Sequence, residues 1–427
     1  FFLKIIFYGY KRKKCYICKF YVLILKIIDM INRGSYINKL IKLRDKQIIK
    51  VITGIRRSGK STLLLQYIDY LKSDGVNDDK IIYLNLESAK YDFITNYLDL
   101  YNYINQRIDS KELHYVIIDE IQNISEFEKA VNSLVIDFNV DLYLAGSNAN
   151  MLSSELATLL SGRYVEIRML PLAFCEYIQA HEDISKEDAF YKYMKYGGFP
   201  FLVEENDDDI ITTYLEGIYN TIILKDVVKR NSVKDISLME KILKMILSSI
   251  GSPISSSSIV KALKNEQRKV SNETVDKYLK MFESAYIIDK TVRYDVKGKD
   301  YLKTLGKCYV ADIGLRNNVL GYRQIEPSQA IENIVYMELL RRGYKVDTGK
   351  IGDNEIDFVA RKNDTIEYYQ VSYTVNSSKE TLMREIRPFN LVYDHYPCYL
   401  LTMDKDFVSD IEGVRKVYVV DWLLNVS

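Results

Sequence analysis

From Met30 onward, short runs of apolar residues alternate with stretches in which apolar positions recur every three or four residues. The runs are Ile48–Thr53, Ile81–Asn85, Val116–Asp119, Leu142–Gly146 and Tyr164–Arg168. Such runs suit strands buried on both faces, and their alternation with helical periodicity predicts a parallel α/β domain. After Pro171 the strand signals stop, and residues 172–232 read as helical. They are broken by Tyr196-Gly197-Gly198-Phe199-Pro200 and by an acidic stretch from Glu204 to Asp209. Residues 233–320 predict three short helices and a hairpin, and from about 328 a helix precedes alternating strands. The pattern divides the chain at 1–29, 30–170, 171–232, 233–327 and 328–427. Apart from Ser255–Ser258, which reads as a helix opening, there is no internal repeat or low-complexity tract.

Gly54-Ile55-Arg56-Arg57-Ser58-Gly59-Lys60-Ser61 fits G-x-x-x-x-G-K-[ST] at every fixed position. It follows the first strand and precedes a run with Leu63, Leu64, Tyr67, Ile68 and Leu71 at helical spacing. Glycines let the backbone curl so that successive N–H groups face a phosphate, aided by the helix N-terminus. Lys60 is expected to reach the β/γ-phosphates of ATP and Ser61 to ligate Mg²⁺. Gly54, Arg57, Ser58, Gly59 and Thr62 complete the expected nucleotide-binding set.

The run Tyr115-Val116-Ile117-Ile118 ends in Asp119-Glu120, which puts both carboxylates at the carboxyl edge of the sheet, where open α/β sheets bind ligands. Asp119 is expected to hold Mg²⁺ through water, and Glu120 to orient and polarise the attacking water. Asn148, after the strand 142–146, is a candidate reporter of the γ-phosphate, with Ser147 as substitute; ordinary helix capping is the competing reading. Arg163 precedes the fifth strand, either as a structural residue or as an arginine finger supplied to a neighbouring subunit.

Residues 48–168, with P-loop, Asp-Glu strand, sensor strand and Gly-Arg in that order, resemble an AAA+ ATPase core. More narrowly, Met30 to the end resembles a family of prokaryotic AAA-type ATPases with a C-terminal domain of unknown function. The phrases GIRRSGKSTLL, IIDEIQN, LAGSNANML, SGRYVEIRMLPLAF, YGGFP and EIDFVA carry the resemblance. It implies ATP binding, ATP hydrolysis, an AAA+ strand order with a helical lid over 171–232, and a winged-helix segment.

For 233–327, Met239, Ile242, Leu243, Ile246, Leu247 and Ile250 mark one helix, and Ile259, Val260 and Leu263 a second. Val275, Tyr278, Leu279 and Phe282 mark a third. A strand over Tyr286–Val292 and a wing tip at Lys297-Gly298-Lys299 complete a winged helix-turn-helix pattern. Asn272, Lys277 and Lys280 fall away from the apolar face of the third helix. Residues 225–312 carry 18 Lys/Arg against 11 Asp/Glu, in a chain whose total is only +1. That local excess suits DNA phosphates, while packing against the ATPase and transmitting motion is the alternative.

The C-terminal residues resemble a restriction-endonuclease-like core, in which a helical Glu and a strand Asp join a Glu/Gln-x-Lys strand to bind Mg²⁺. Glu332, Asp357 and Gln370 match, but Ser372 stands where the lysine belongs. A degenerate nuclease site is therefore expected, cleaving little or no DNA unless Lys379 or another residue supplies the missing cation.

Composition narrows the rest. With 427 residues, 48% hydrophobic and 27% charged, the chain can fill a core in each domain and excludes global disorder. Five cysteines are too few and scattered for a disulfide scaffold and point to a reducing cytoplasm. Cys15-Tyr-Ile-Cys18 has metal-knuckle spacing without a second pair of ligands nearby. Residues 1–29 carry seven Lys/Arg and one Asp, with Lys4, Arg12, Lys19 and Lys26 interrupting any membrane span. They are expected to be a dispensable extension or, alternatively, an amphipathic membrane-surface segment.

The expected activity is thus an Mg²⁺-dependent AAA+ ATPase switch coupled to DNA or a partner protein, without a membrane partner and able to form a homo-oligomer. An ATP-gated nuclease and a regulatory scaffold without DNA contact are the alternatives.

Overall fold

The computed structural model describes residues 31–427 except 110, 150–161, 182, 299, 303–305, 323–325, 406–408 and 426–427. The expectations for residues 1–29, including Cys15 and Cys18, lie outside the described residues.

The first domain opens with helix α1 (Gly34–Leu43), strand β1 (Ile49–Thr53) and helix α2 (Lys60–Ser73). β2 (Ile81–Asn85), α3 (Tyr97–Asn105), β3 (His114–Asp119), α4 (Phe127–Asp137), β4 (Val140–Ala145) and β5 (Tyr164–Arg168) follow. The described strands form a parallel sheet in the order β2-β3-β4-β1-β5. Period-two alternation explains its three layers. Ile49, Val51, Val116 and Ile118 pack with Leu100, Ile104, Phe127 and Leu134 of α3 and α4. Ile52, Tyr115 and Ile117 face Tyr36, Leu40, Leu63, Tyr67 and Leu71 of α1 and α2. The inner strands β1, β3 and β4 are buried on both faces because each face meets helices.

The expected helical region contains α5 (Phe174–Tyr177), α6 (Lys186–Tyr196) and α7 (Asp208–Thr221), the last continuing into a π-helix over Ile222–Lys229. Asp207 caps α7 by accepting from the amides of Asp209 and Ile210.

Three helices then form as the periodicity predicts: α8 (Ile236–Ser248), α9 (Ser256–Asn265) and α10 (Asn272–Ser284). Ser255 caps α9 through the Ser258 amide, so the serine run does open a helix. Strand β6 (Ile288–Lys290) is shorter than the expected 286–292 and pairs antiparallel with β9 (Cys308–Val310). Between them β7 (Arg293–Asp295) and β8 (Asp300–Leu302) make a hairpin around the expected tip at Lys297-Gly298. Its placement differs from a free wing: β7 runs parallel to β10 (Lys345–Ile351), with Arg293 opposite Thr348. The hairpin crosses the boundary drawn at 327/328 and satisfies a sheet edge that the C-terminal strands would otherwise expose.

After α11 (Ile313–Leu320) and α12 (Pro327–Arg341), the sheet continues through β10, β11 (Asn354–Lys362), β12 (Thr365–Ser372) and, beyond α13 (Lys379–Ile386), β13 (Cys398–Thr402), β14 (Ser409–Ile411) and β15 (Val414–Tyr418). Helix α14 (Val419–Leu424) ends the described chain. The sheet order is β14-β15-β13-β12-β11-β10-β7-β8. One apolar core runs from Leu170 through the helical region and α8–α12 to Leu423, joining these parts into a continuous body.

Candidate active site

The P-loop spans the gap from Thr53 to Lys60, and its backbone explains its glycines. Gly54 and Gly59 have φ of 141° and 99°. A Cβ on Gly54 would lie 2.1 Å from the Met169 carbonyl oxygen, so no larger residue fits where the loop leaves β1. Arg57 also adopts a positive φ, 68°. From the buried start of α2, Lys60 Nζ donates to the carbonyls of Gly54 (2.9 Å) and Ile55 (3.0 Å). Burial pulls this ammonium below its ordinary pKa, opposed by the charges of Glu120 and Asp119.

β3 delivers its two carboxylates to the same edge, with Asp119 opposite Asn85 of β2. Asp119 is buried; its Oδ1 accepts the Glu120 amide at 3.0 Å, and its Oδ2 has no hydrogen-bond partner. Burial pushes this carboxyl up to about 6, an effect opposed by the Ser61 hydroxyl and the Lys60 charge. An orphaned buried carboxylate oxygen beside a hydroxyl fits a hard, oxygen-seeking cation, so Asp119 and Ser61 are suited to hold Mg²⁺. Glu120 has φ 55° and ψ 40°, a left-handed conformation uncommon for a side-chain-bearing residue and often found at functional sites. Gln122 Nε2 donates to its Oε2.

Beyond β4, the Gly146 amide donates to the Ile52 carbonyl at 3.0 Å, which leads Ser147 and Asn148 out beside the P-loop. Both are buried. The structure therefore brings Lys60, Ser61, Asp119, Glu120, Ser147 and Asn148 to one sheet edge. Arg163 is not among them. It precedes β5, and Tyr164 pairs with Ile49 at the start of β1, so exposed Arg163 sits at the opposite edge of the sheet.

Arg57, Gly59, Lys60, Ser61, Thr62 and Glu120 line a cavity of about 330 Å³. It meets a second of about 640 Å³ through shared walls at Arg57, Phe201, Tyr214 and Thr221. The rings of Phe201 and Tyr214 stack at 4.2 Å, offering an apolar surface beside the polar one. These aromatics gave no sequence signal, because a Phe and a Tyr in an apolar helical region read as core. The Gly197-Gly198 pair is explained by Asp312: a Cβ on Gly197 would fall 2.0 Å from Asp312 Oδ1, and Gly198 N donates to Asp312 Oδ2 at 2.7 Å.

The C-terminal candidates lie elsewhere, and they contain a residue the sequence did not point to. Lys307 Nζ is buried within 2.9 Å of Glu332 Oε1, 2.9 Å of Glu355 Oε1 and 3.0 Å of Asp357 Oδ1. Tyr309 donates to Glu332 at 2.7 Å, and burial pushes Glu332 up to about 7. Asp357 Oδ2 accepts the Val371 amide at 3.0 Å. Gln370 does not face the cluster as a ligand: its Oε1 accepts the Asp357 amide and its Nε2 donates to Glu385. Ser372 Oγ donates to the Thr374 carbonyl at 3.3 Å. The missing cation thus arrives from the segment before β9, 65 positions upstream of Ser372. Its three N–H groups match the three carboxylates, leaving a cluster whose donors already serve an ammonium. Among the described residues no set of three His, Cys, Asp or Glu side chains is arranged to hold a metal ion.

A five-stranded parallel sheet with a P-loop after β1 and an Asp-Glu pair after β3 defines the class, a P-loop ATPase fold of the AAA type. The AAA domain family matches residues 46–178, and a domain of unknown function (DUF8612) matches 187–326. An uncharacterized protein of Haemophilus influenzae is 42% identical over 402 residues, covering 92% of this chain and 99% of the relative. Uncharacterized protein MJ1544 of Methanocaldococcus jannaschii is 28% identical over 430 residues, covering 93% and 90%. Among solved structures, the Walker-type ATPase PABY2304 of Pyrococcus abyssi aligns with a TM-score of 0.49 at 15% identity, over 68% of this chain and 96% of that one. The chain belongs to the same family as the Haemophilus influenzae protein, and its residues 46–178 form an AAA domain. No helix among the described residues is long and apolar enough to cross a membrane.

Proposed function

We propose that this protein is an Mg²⁺-dependent ATPase that works as a molecular switch, coupled to DNA or to a partner protein. The observation that carries the reading is the convergence of Lys60, Ser61 and Glu120 on one cavity at the carboxyl edge of the sheet, with the buried Asp119 carboxylate beside Lys60 and Ser61. The two adjoining cavities suit the two ends of a nucleotide, with phosphates against the P-loop and the nucleoside beside Phe201 and Tyr214.

On binding, Lys60 exchanges the Gly54 and Ile55 carbonyls for phosphate oxygens, a better partner for a buried ammonium. Bound Mg²⁺ supplies charge neutralisation at the phosphates, held by Ser61 and Asp119. Glu120 accepts the proton of the attacking water, and Asn148 holds that water or the terminal phosphate. Arg163 sits at the opposite edge of the sheet from its own P-loop, so any role in hydrolysis requires a neighbouring copy. ATP binding and turnover measured on Lys60→Ala and Glu120→Gln test the assignment: loss of binding in the first, and retained binding without turnover in the second.

For the coupling, the basic segment 225–312 presents Lys261, Lys264, Asn272, Lys277 and Lys280 to solvent. That supports DNA contact over a scaffold without it, and a salt-titrated DNA-binding assay tests it, since phosphate contacts weaken steeply with salt. For the C-terminal domain, we favour binding without cleavage, because Lys307 already neutralises the carboxylates a catalytic cation would need.

A further inference from the structure

The helical segment 171–232 sets one buried carboxylate against the P-loop. Asp226 is 3% exposed and lies in the π-helix Ile222–Lys229, where the wider turn changes the direction of side chains relative to α7. It meets Arg56 of the P-loop in a two-point pair, Nε to Oδ2 at 3.0 Å and Nη2 to Oδ1 at 3.2 Å. Ser147 Oγ, beyond β4, lies 3.5 Å from the same Oδ1. Arg230, one turn on, places Nη1 3.5 Å from Oδ1, yet that buried nitrogen has no hydrogen-bond partner. Arg56 and Lys225 also reach Glu87, at 3.5 and 3.4 Å.

An anion is therefore held between two arginines at the rim of the cavity that holds Lys60 and Glu120. The Asp226 charge acts on Lys60, and the Glu120 charge acts on both Arg56 and Arg230, which places the group within the electrostatic field of the phosphate site. A phosphate dianion has the same fork-to-fork complementarity to arginine as a carboxylate, with more charge and more acceptors. Arg230, with a donor unused beside Asp226, is poised for a partner with more oxygens.

We propose that Asp226 is a built-in competitor of the terminal phosphate: it occupies the Arg56–Arg230 pair until a nucleoside triphosphate displaces it. Displacement frees the π-helix from the P-loop, so lid position follows the presence of the third phosphate. A diphosphate, lacking that group, leaves the lid latched. The inference rests on the P-loop being a nucleoside triphosphate site and adds how the lid senses the terminal phosphate.

The test compares affinities for a non-hydrolysable ATP analogue and for ADP in the full chain. Asp226→Asn keeps the shape but removes the competing charge, and is expected to tighten the analogue at least about tenfold while changing ADP less than about twofold, the size of one charge-assisted bond. Hydrogen exchange across 222–230 is expected to rise in the parent on adding the analogue and to be already raised in Asp226→Asn. If Asp226→Asn does not fold, Arg230→Gln serves: it is expected to reduce the preference for the analogue over ADP about tenfold. Equal weakening of both nucleotides by Asp226→Asn, or an unchanged preference in Arg230→Gln, overturns the latch. Unchanged nucleotide binding by Lys60→Ala would instead overturn the P-loop assignment itself, which separates the two failures.

Discussion

Arg168, the last residue of β5, grips Asp289 of β6 through two hydrogen bonds of 2.6 Å each. The pair bridges the ATPase sheet and the three-helix domain. Beside it, Tyr286 donates to Glu166 at 3.1 Å, and Thr53, the residue before the P-loop, donates to the same carboxylate. The nucleotide edge and the basic domain are thus joined through polar contacts on neighbouring strands β1 and β5. The pair is largely buried, and two-point arginine–carboxylate geometry is directional as well as strong. A double-mutant cycle on Arg168→Ala and Asp289→Ala, read by urea unfolding, should give a coupling of about 1–3 kcal/mol. A coupling near zero would show that this pair does not hold the two parts together.

Arg163 lies at the edge of the sheet remote from its own P-loop, so its use in hydrolysis requires a second copy. Arg163→Ala should then lower turnover by about 10³-fold or more while leaving ATP affinity nearly intact. Mixing it with Lys60→Ala should recover part of the activity, because each variant supplies the half-site the other lacks. Absence of recovery at every mixing ratio assigns Arg163 a structural role.

Lys307 is the sole ammonium in contact with Glu332, Glu355 and Asp357 among the described residues. Replacing it with Met strands buried carboxylates and should destabilise the protein by roughly 3–5 kcal/mol. The parent should show little or no Mg²⁺-dependent DNA cleavage. Mg²⁺-dependent cleavage by the parent that disappears in Asp357→Ala would promote the ATP-gated nuclease.

Asp312 gives a pH signature. Burial pushes its carboxyl up to about 6, although the Gly198 and Leu315 amides donate to it. The folded pKa exceeds the unfolded one, so the native state binds more protons in this interval. The contribution is complete below about pH 4 and is lost as pH rises towards 6, amounting to about 2–3 kcal/mol. Asp312→Asn should flatten the dependence of unfolding free energy on pH between 4 and 6; an unchanged slope would assign it to other groups.

How much of this was legible in the sequence follows from the range of each signal. Strands β2 and β5 fall where their apolar runs place them, because a strand's apolar positions form a short local pattern. Lys60, Ser61, Asp119 and Glu120 were legible because the loop and the strand end fix their positions through local backbone geometry. Arg56, Asp226 and Arg230 were not, since a pair spanning 170 residues leaves no spacing to read and each residue alone resembles a solvated charge. Lys307 escaped for the same reason. The motif places its lysine two residues beyond Gln370, whereas this lysine reaches the carboxylates from another strand pair. The expected tip at Lys297-Gly298 lies within the hairpin 293–302, but the expected strand 286–292 pairs elsewhere and the hairpin joins another sheet, because pairing depends on which sheet edge is free.

The most direct test of the account is ATP binding and turnover by the parent, Lys60→Ala and Glu120→Gln proteins, measured side by side with Mg²⁺. The parent should bind and hydrolyse ATP. Lys60→Ala should lose binding, because it removes the ammonium that the motif places on the β/γ-phosphates. Glu120→Gln should bind as the parent does and lose turnover by about 10²–10⁴-fold, the contribution of a positioned base. Equal hydrolysis by all three proteins would contradict the assignment of this edge of the sheet as the active site.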